Sequence, residues 1–132
     1  MIDYSITKTI SIDAPMDRVF AFLSDAANWP KWAIVNVKSV KRADDHWWDM
    51  ETPGGMAKLR IRPSAEFGIL DHDFNAPDAS WTVPARLVPN GSGCTFMITF
   101  FQPPPFTKEF FEEQAALVGK ELAQLKSLME SA

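Results

Sequence analysis

Residues 81–101 read WTVPARLVPNGSGCTFMITFF, and this stretch decides the fold. Asn90-Gly91 is a hairpin signal, because both residues tolerate positive φ. A two-residue turn there sets Leu87 opposite Cys94, Ala85 opposite Phe96, Val83 opposite Ile98 and Trp81 opposite Phe100. Every one of these is apolar, so together they form one buried face, while Thr82, Arg86 and Val88 take the other. The stretch therefore predicts two long antiparallel strands, 80–89 and 93–101.

The same alternation extends upstream. Strands are expected at 34–42, 46–52, 56–62 and 67–74, separated by turn signals at Ala43-Asp44, Pro53-Gly54-Gly55, 63–66 and 75–78. Aligning 56–62 with 67–74 pairs Ile61 with Leu70, Leu59 with His72 and Ala57 with Phe74. On the other face it pairs Arg60 with Asp71 and Lys58 with Asp73. Aligning 46–52 with 56–62 pairs Trp48 with Ile61, Met50 with Leu59, Asp49 with Arg60 and Glu51 with Lys58. The charged face reads as a ladder of cross-strand ion pairs rather than a catalytic carboxylate cluster, since burying so many charges is costly. A one-residue slip would bury them, so the faces are strongly specified.

At the front, residues 4–12 (YSITKTISI) alternate with Tyr4, Ile6, Ile10 and Ile12 on one side, predicting a first strand. Asp13 is the expected N-cap of a helix with Pro15 in its first turn and Val19, Phe20, Phe22 and Leu23 on its apolar face. A second short helix is expected over 25–29, ending at Pro30. At the back, Gln102-Pro103-Pro104-Pro105 is a stiff connector. Thr107 then caps a long helix to about Ser131, with Phe110, Phe111, Ala115, Val118, Leu122, Leu125 and Met129 as its stripe. The reading is an α+β domain over 1–132: a seven-stranded antiparallel sheet, one face wet, the other covered by the last helix.

The 132 residues suffice for one domain with a real core. A net charge of -4 argues against a nucleic-acid or anionic-membrane footprint. Cys94 is the sole cysteine and His46 and His72 the sole histidines, so neither an intrachain disulfide nor a thiolate-rich zinc site is expected. Phosphate-loop, HExxH, nucleophile-elbow and CxxC patterns are absent, so no cofactor is expected. No run is long enough for a membrane span, and Met1-Ile2-Asp3-Tyr4 lacks signal-peptide character, which makes the cytoplasm the expected location.

Three segments then carry a resemblance. Ile10-Ser11-Ile12-Asp13-Ala14-Pro15, Val19-Phe20-Ala21-Phe22-Leu23-Ser24-Asp25 and Asn28-Trp29-Pro30-Lys31-Trp32 resemble the opening of the START-like, Bet v 1-like superfamily. Within it, the small bacterial polyketide cyclase/dehydrase group (SRPBCC proteins) is the most similar. Gly68-Ile69-Leu70-Asp71-His72 and the Val88-Pro89-Asn90-Gly91 hairpin also resemble that group. The resemblance spans essentially the whole chain and implies the helix-grip fold, a curved sheet wrapped around the C-terminal helix with a deep cavity between them. It also implies lipid-, polyketide- or aromatic-like ligands, and in some members cyclisation, dehydration or hydrolysis. The strand ends place the expected mouth at Pro53-Gly54-Gly55-Met56, 75–78 and 103–106. The first two correspond to gate and latch loops in plant hormone receptors of this fold.

The inward face supplies the candidate ligand-binding residues: Trp48, Met50, Leu59, His72, Phe74, Trp81, Val83, Phe96, Ile98, Phe100, Phe110 and Gln114. Large rings on such a face either fill a core or line a cavity. His72 is the candidate catalytic residue, expected to point inward about 7 Å below Phe74. It suits hydrogen bonding to a ligand or acid/base chemistry near neutral pH, and equally a structural bond to backbone. Glu113, Gln114 and Glu121 are the helix residues within reach of it, with Gln114 nearest the stripe. Trp32 and Trp81 offer ring N–H donors, while Trp29 reads as packing. Lys8 is expected to snorkel at the sheet edge and Cys94 to be a buried filler.

Three functions follow from this reading. The first is binding of a small hydrophobic ligand. The second is a cyclase/dehydratase- or hydrolase-type enzyme with His72 as acid/base. The third is a protein-interaction module with a filled pocket, using the proline-rich loop and Phe106. A monomer and a homodimer both fit.

Overall fold

In a computed structural model, which describes residues 1–131, β1 (Ser5–Ile12) leads into α1 (Met16–Ser24). A 3-10 turn (Ala26–Asn28) and α2 (Trp29–Trp32) follow. The chain then forms β2 (Ser39–Arg42), β3 (Trp48–Thr52), β4 (Gly55–Ser64) and β5 (Ile69–Ala76). After these come β6 (Ala79–Val83), β7 (Ala85–Asn90), β8 (Gly93–Phe101) and α3 (Lys108–Glu130). The strands form one curved antiparallel sheet in the order β1-β8-β7-β5-β4-β3-β2, with β6 paired to β5 off this path. The sheet is thus seven strands across, and an eighth arises because the expected strand 80–89 is broken.

Pro84 makes the break. It has no N–H for a ladder, and a proline inside a central strand cannot be accommodated without interrupting it. The residues before it turn onto β5, with Val83 opposite His72 and Trp81 opposite Phe74. Those after it stay on β8. The expected Val83–Ile98 and Trp81–Phe100 pairs are therefore replaced by pairs with β5.

Each hairpin register differs from expectation by two residues, which leaves every side chain on its expected face. The β7–β8 loop is Gly91-Ser92, with Asn90 opposite Gly93, so Leu87 faces Phe96 and Ala85 faces Ile98. Only the first loop residue, Gly91, has positive φ (57°), as a turn with glycine in first position requires. In β4–β5, Arg60 faces Asp73, Ile61 faces His72 and Leu59 faces Phe74. In β3–β4, Trp48 faces Leu59, Met50 faces Ala57, Asp49 faces Lys58 and Glu51 faces Met56.

The convex-face charges concentrate on Asp73, which is buried. Its carboxylate accepts from Arg60 Nε (3.0 Å), Arg62 Nε (2.9 Å), Arg62 Nη2 (3.0 Å) and Thr82 Oγ1 (2.6 Å). Burial opposes its ionisation, but these bonds outweigh that and hold the carboxyl well below the usual range. Lys58 pairs with Asp49 at 3.2 Å.

The helices also shift slightly. Pro15, not Asp13, occupies the N-cap of α1, and the Asp13 amide donates to Glu130 at the far end of α3 (2.8 Å). Asp25 caps the 3-10 turn through Ala27 N (3.0 Å). Pro30 continues rather than ends the helix, because near an N-terminus its missing N–H is not needed. The expected strand 34–42 begins only at Ser39. Residues 34–36 instead form a turn pinned by Glu121, whose Oε2 accepts from Val35 N (3.1 Å) and Asn36 N (3.0 Å). Thr107 caps α3 as expected, its Oγ1 accepting from Phe110 N (3.1 Å).

Phe111, Ala115, Val118, Leu122, Leu125 and Met129 form the buried stripe of α3, spaced alternately four and three residues apart. The Arg18 guanidinium reaches the Met129 carbonyl at the helix's far end. Gly68 (φ 69°) lets the start of β5 touch β7: a Cβ there would lie 2.0 Å from Leu87 O, and Gly68 O accepts from Leu87 N at 2.8 Å.

Candidate functional site

The concave face of the sheet carries a gradient of cover. Cys94, Phe96 and Ile98 are buried along β8, and then Phe100 is only half-covered. Leu70 and His72 on β5 are buried, and Phe74 is half-covered. Val83 is buried, but Trp81 is 46% exposed. On β4 Leu59 is fully buried and Ala57 is not. On α3 Leu125, Leu122 and Val118 are buried, whereas Gln114 is half-covered and Phe110 is 42% exposed. The four strands open toward the same end, where the turn at 53–54, the turn at 77–78 and the segment 103–106 lie, whereas the α3 stripe stays buried as far as Phe111 and only the off-stripe Phe110 and Gln114 are exposed or half-covered there. This is the end at which the strand order predicted a mouth.

The gradient separates the expected site residues into three groups. Met50, Leu59, His72, Val83, Phe96 and Ile98 form the buried floor. Phe74, Trp81, Phe100, Phe110 and Gln114 stand at the open end; the Phe74 and Trp81 rings lie 5.4 Å apart. Trp48 lies toward the opposite end. It borders a surface cleft of about 380 Å³ with Ser24, Ala26, Ile61 and Pro63. A second cleft of about 340 Å³, walled by Trp47, Arg60, Asp73 and Thr82, reaches Phe74 and Trp81 from the convex side.

Phe110 departs from the predicted stripe because it falls outside the four-three spacing that buries Phe111. Its ring instead meets Phe106 edge-on at 4.7 Å. Gln102 Nε2 holds that loop by donating to Phe106 O (2.8 Å). Phe111 packs against Tyr4 at 5.4 Å, and the Tyr4 hydroxyl donates to Glu112 (2.9 Å).

His72 is 2% exposed. Its Nδ1 lies 3.0 Å from Leu70 O, and a carbonyl only accepts, so Nδ1 carries a proton. Trp29 and Phe74 meet the ring edge-on at 4.8 and 5.4 Å. Burial pushes its pKa down to about 4, against weaker opposing effects from the Leu70 bond and from Asp71 and Asp73. The imidazole is therefore neutral at pH 7, with Nε2 as a lone-pair acceptor.

Of the helix residues expected near His72, Glu113 is exposed and Gln114 half-covered. Glu121 is buried, but its hydrogen bonds go to the 35–36 backbone and to Asn36 Nδ2 (3.1 Å). Burial raises its pKa, and those bonds only partly offset the effect. Sequence reasoning missed this anchor. Its signal was an acidic residue at the edge of the stripe, three positions after Val118 and one before Leu122. Among the described residues, no three His, Cys, Asp or Glu side chains are grouped to hold a metal ion. No described helix is long and apolar enough to cross a membrane.

The two inward tryptophans differ. Trp29 Nε1 donates to Leu23 O (3.0 Å), as befits packing. Trp32 Nε1 is buried without a hydrogen-bond partner. This orphan donor has no counterpart in the sequence pattern, which shows a tryptophan but not its partner.

Residues 3–130 match the model of the family described as polyketide cyclase/dehydrase and lipid transport. No curated protein sequence matches the chain significantly. Solved structures share the fold at low identity. An uncharacterized protein from Bacillus thuringiensis superposes with TM-score 0.76 at 13% identity, covering 96% of this chain and 98% of its own. A START superfamily protein from Mycobacterium smegmatis gives 0.73 at 16%, covering 96% and 97%. The Aha1 dimer of Colwellia psychrerythraea gives 0.74 at 16%, covering 96% of each chain.

Proposed function

We propose a ligand-binding function for this chain, which belongs to the polyketide cyclase/dehydrase and lipid-transport family: the open end of the concave sheet face, beside the first turns of α3, takes up a small, largely apolar molecule. The observation that carries the reading is the one-ended gradient of cover. Phe74 and Phe100 are half-covered and Trp81 and Phe110 exposed at one end of a face whose middle, at Leu59, His72, Val83, Phe96 and Ile98, is buried. Fully burying each such side chain is worth roughly 1.5–3 kcal/mol, so a guest that covers several of them gains substantially. In this reading Met50, Leu59, Val83, Phe96 and Ile98 form the floor, and Gln114 meets the polar part of the guest.

His72 then serves as a neutral hydrogen-bonding side chain. An imidazole held near 4 is a weak base at pH 7, which favours binding over acid/base turnover. The test is native mass spectrometry of freshly purified protein, followed by denaturing release of any adduct. A stoichiometric apolar adduct, displaced by an added naphthalene derivative, is the expected result. A bare chain mass together with no saturable uptake of naphthalene or long-chain fatty acyl probes overturns the proposal.

A further inference from the structure

β3 begins at Trp48, opposite Leu59, whereas β4 runs on to Ser64, so residues 60–63 have no strand on that side. Asp44 turns the incoming chain away from them: its carboxylate accepts from the His46 and Trp47 amides, each at 2.8 Å. Ser24 and Ala26, at the end of α1 and in the 3-10 turn, close the far side and leave a cleft of about 380 Å³. That volume falls within the roughly 300–1,000 Å³ of small-molecule sites. The lining divides by chemistry. Trp48, Ile61 and Pro63 are apolar, while Arg60, Arg62 and His46 are basic.

Asp73 holds both guanidiniums through Nε and Nη2, at 2.9–3.0 Å, and the Trp47 ring centroid lies 4.6 Å from Arg60 Cζ. Both forks are therefore fixed in direction. Among the described residues, Nη1 of neither arginine has a partner. One bidentate arginine already pairs a carboxylate, so the second is surplus to Asp73 and the trio keeps one positive charge. Of the neighbouring acids, Asp71 accepts from the Ala85 amide (3.0 Å), and Asp45 at the rim lies 3.9 Å from Arg42. The geometry points to a second site in this cleft, for a small apolar carboxylate of aryl or short-chain acyl type. Its carboxylate takes the Nη1–H groups of Arg60 and Arg62, and its apolar body lies against Trp48 and Ile61. A single positive charge suits a monoanion, whereas a phosphate dianion would face Asp45 and Asp71 uncompensated. This site is separate from the open end of the concave face and does not rest on it.

The test is an NMR titration of the intact, isotope-labelled protein with 2-naphthoate and its neutral isostere 2-naphthamide. Naphthoate should bind roughly tenfold tighter or more, the range that charge-assisted hydrogen bonds supply, and added salt should narrow the gap. In wild-type protein naphthoate should shift the Arg60 and Arg62 Nε–H and the Trp48 indole resonances. Arg62→Gln should erase the preference for naphthoate with an otherwise unchanged amide spectrum, because Arg60 still pairs Asp73. Four results each overturn this inference and leave the open-end reading untouched. They are equal affinities for the two probes, wild-type shifts confined to Phe74, Trp81 and Phe100, a preference that survives in Arg62→Gln, and no saturation by millimolar naphthoate. Failure of 2-ethylnaphthalene to reach the open end, with naphthoate still bound at Arg60 and Arg62, overturns the open-end reading alone.

Discussion

Removing the His72 imidazole should flatten the acid side of the protein's stability profile. The ring is buried, and burial lowers its pKa from 6.5 to about 4. The unfolded chain therefore takes up a proton near pH 6.5 that the folded chain refuses until about pH 4. Between those values the unfolded state binds more protons, so stability falls as pH falls, and below the window the contribution is flat. Each unit of difference is worth about 1.4 kcal/mol, giving about 3 kcal/mol across the window and about 2 kcal/mol between pH 7 and pH 5. With a urea slope of roughly 1–3 kcal/mol per molar, the unfolding midpoint should drop by about 1 M over that interval. Glu121, whose pKa is raised by burial, acts in the opposite direction, adding stability as pH falls. The informative quantity is therefore the difference between wild type and His72→Leu. The variant should lose about 2 kcal/mol less than wild type between pH 7 and 5. Identical pH slopes in the two proteins would refute the claim that a buried neutral imidazole is bonded to Leu70.

Four further outcomes follow from the packing. Glu121→Ala leaves the Val35 and Asn36 amides without their acceptor and should cost roughly 2–3 kcal/mol, with hydrogen exchange accelerating at those two amides. Gly68→Ala places a methyl 2.0 Å from Leu87 O at a φ of 69°, so it should cost roughly 2 kcal/mol or more in thermal or urea unfolding. Thr107→Ala removes the α3 N-cap and should cost about 1 kcal/mol, read by urea denaturation. Asp73→Asn weakens a buried acceptor whose arginine partners are partly exposed, so the loss should be about 1–2 kcal/mol, read by urea denaturation.

Side-chain parity was the most legible feature of the sequence. Leu59 and His72 alternate with Lys58, Arg60, Asp71 and Asp73, and Phe96 and Ile98 with Thr95, Met97 and Thr99; any odd slip would exchange the two sets, so burial determines which face each takes. Parity says nothing about even slips. Those depend on where a turn places its glycine, and Gly91 proved to be first in its loop rather than second. Pro84 carried a plain warning of a broken strand that the strong apolar alternation around it outweighed. The long helix was readable from Thr107 and the stripe, but Phe110 and Phe111 could be told apart only by the strict four-three spacing that follows.

At the candidate site, alternation told which side chains share the concave face, with Leu59, His72, Val83, Phe96 and Ile98 buried on it. Alternation could not reveal what is created by tertiary approach. The Glu121 anchor joins positions 85 and 86 residues apart. The His72 pKa arises from packing by Trp29 and Phe74. The unpartnered Trp32 donor is defined by what does not surround it.

The most direct test of the central claim is to locate a bound guest. With isotope-labelled protein and unlabelled 2-ethylnaphthalene, intermolecular NOEs should connect the probe to Phe74, Trp81, Phe100 and Gln114, the residues at the open end, and to Ile98 on the buried face below them. NOEs confined to Trp47, Thr82 or the Trp48–Pro63 cleft, with none to Ile98 or Phe100, would contradict the account and place any apolar binding on the outer surface instead.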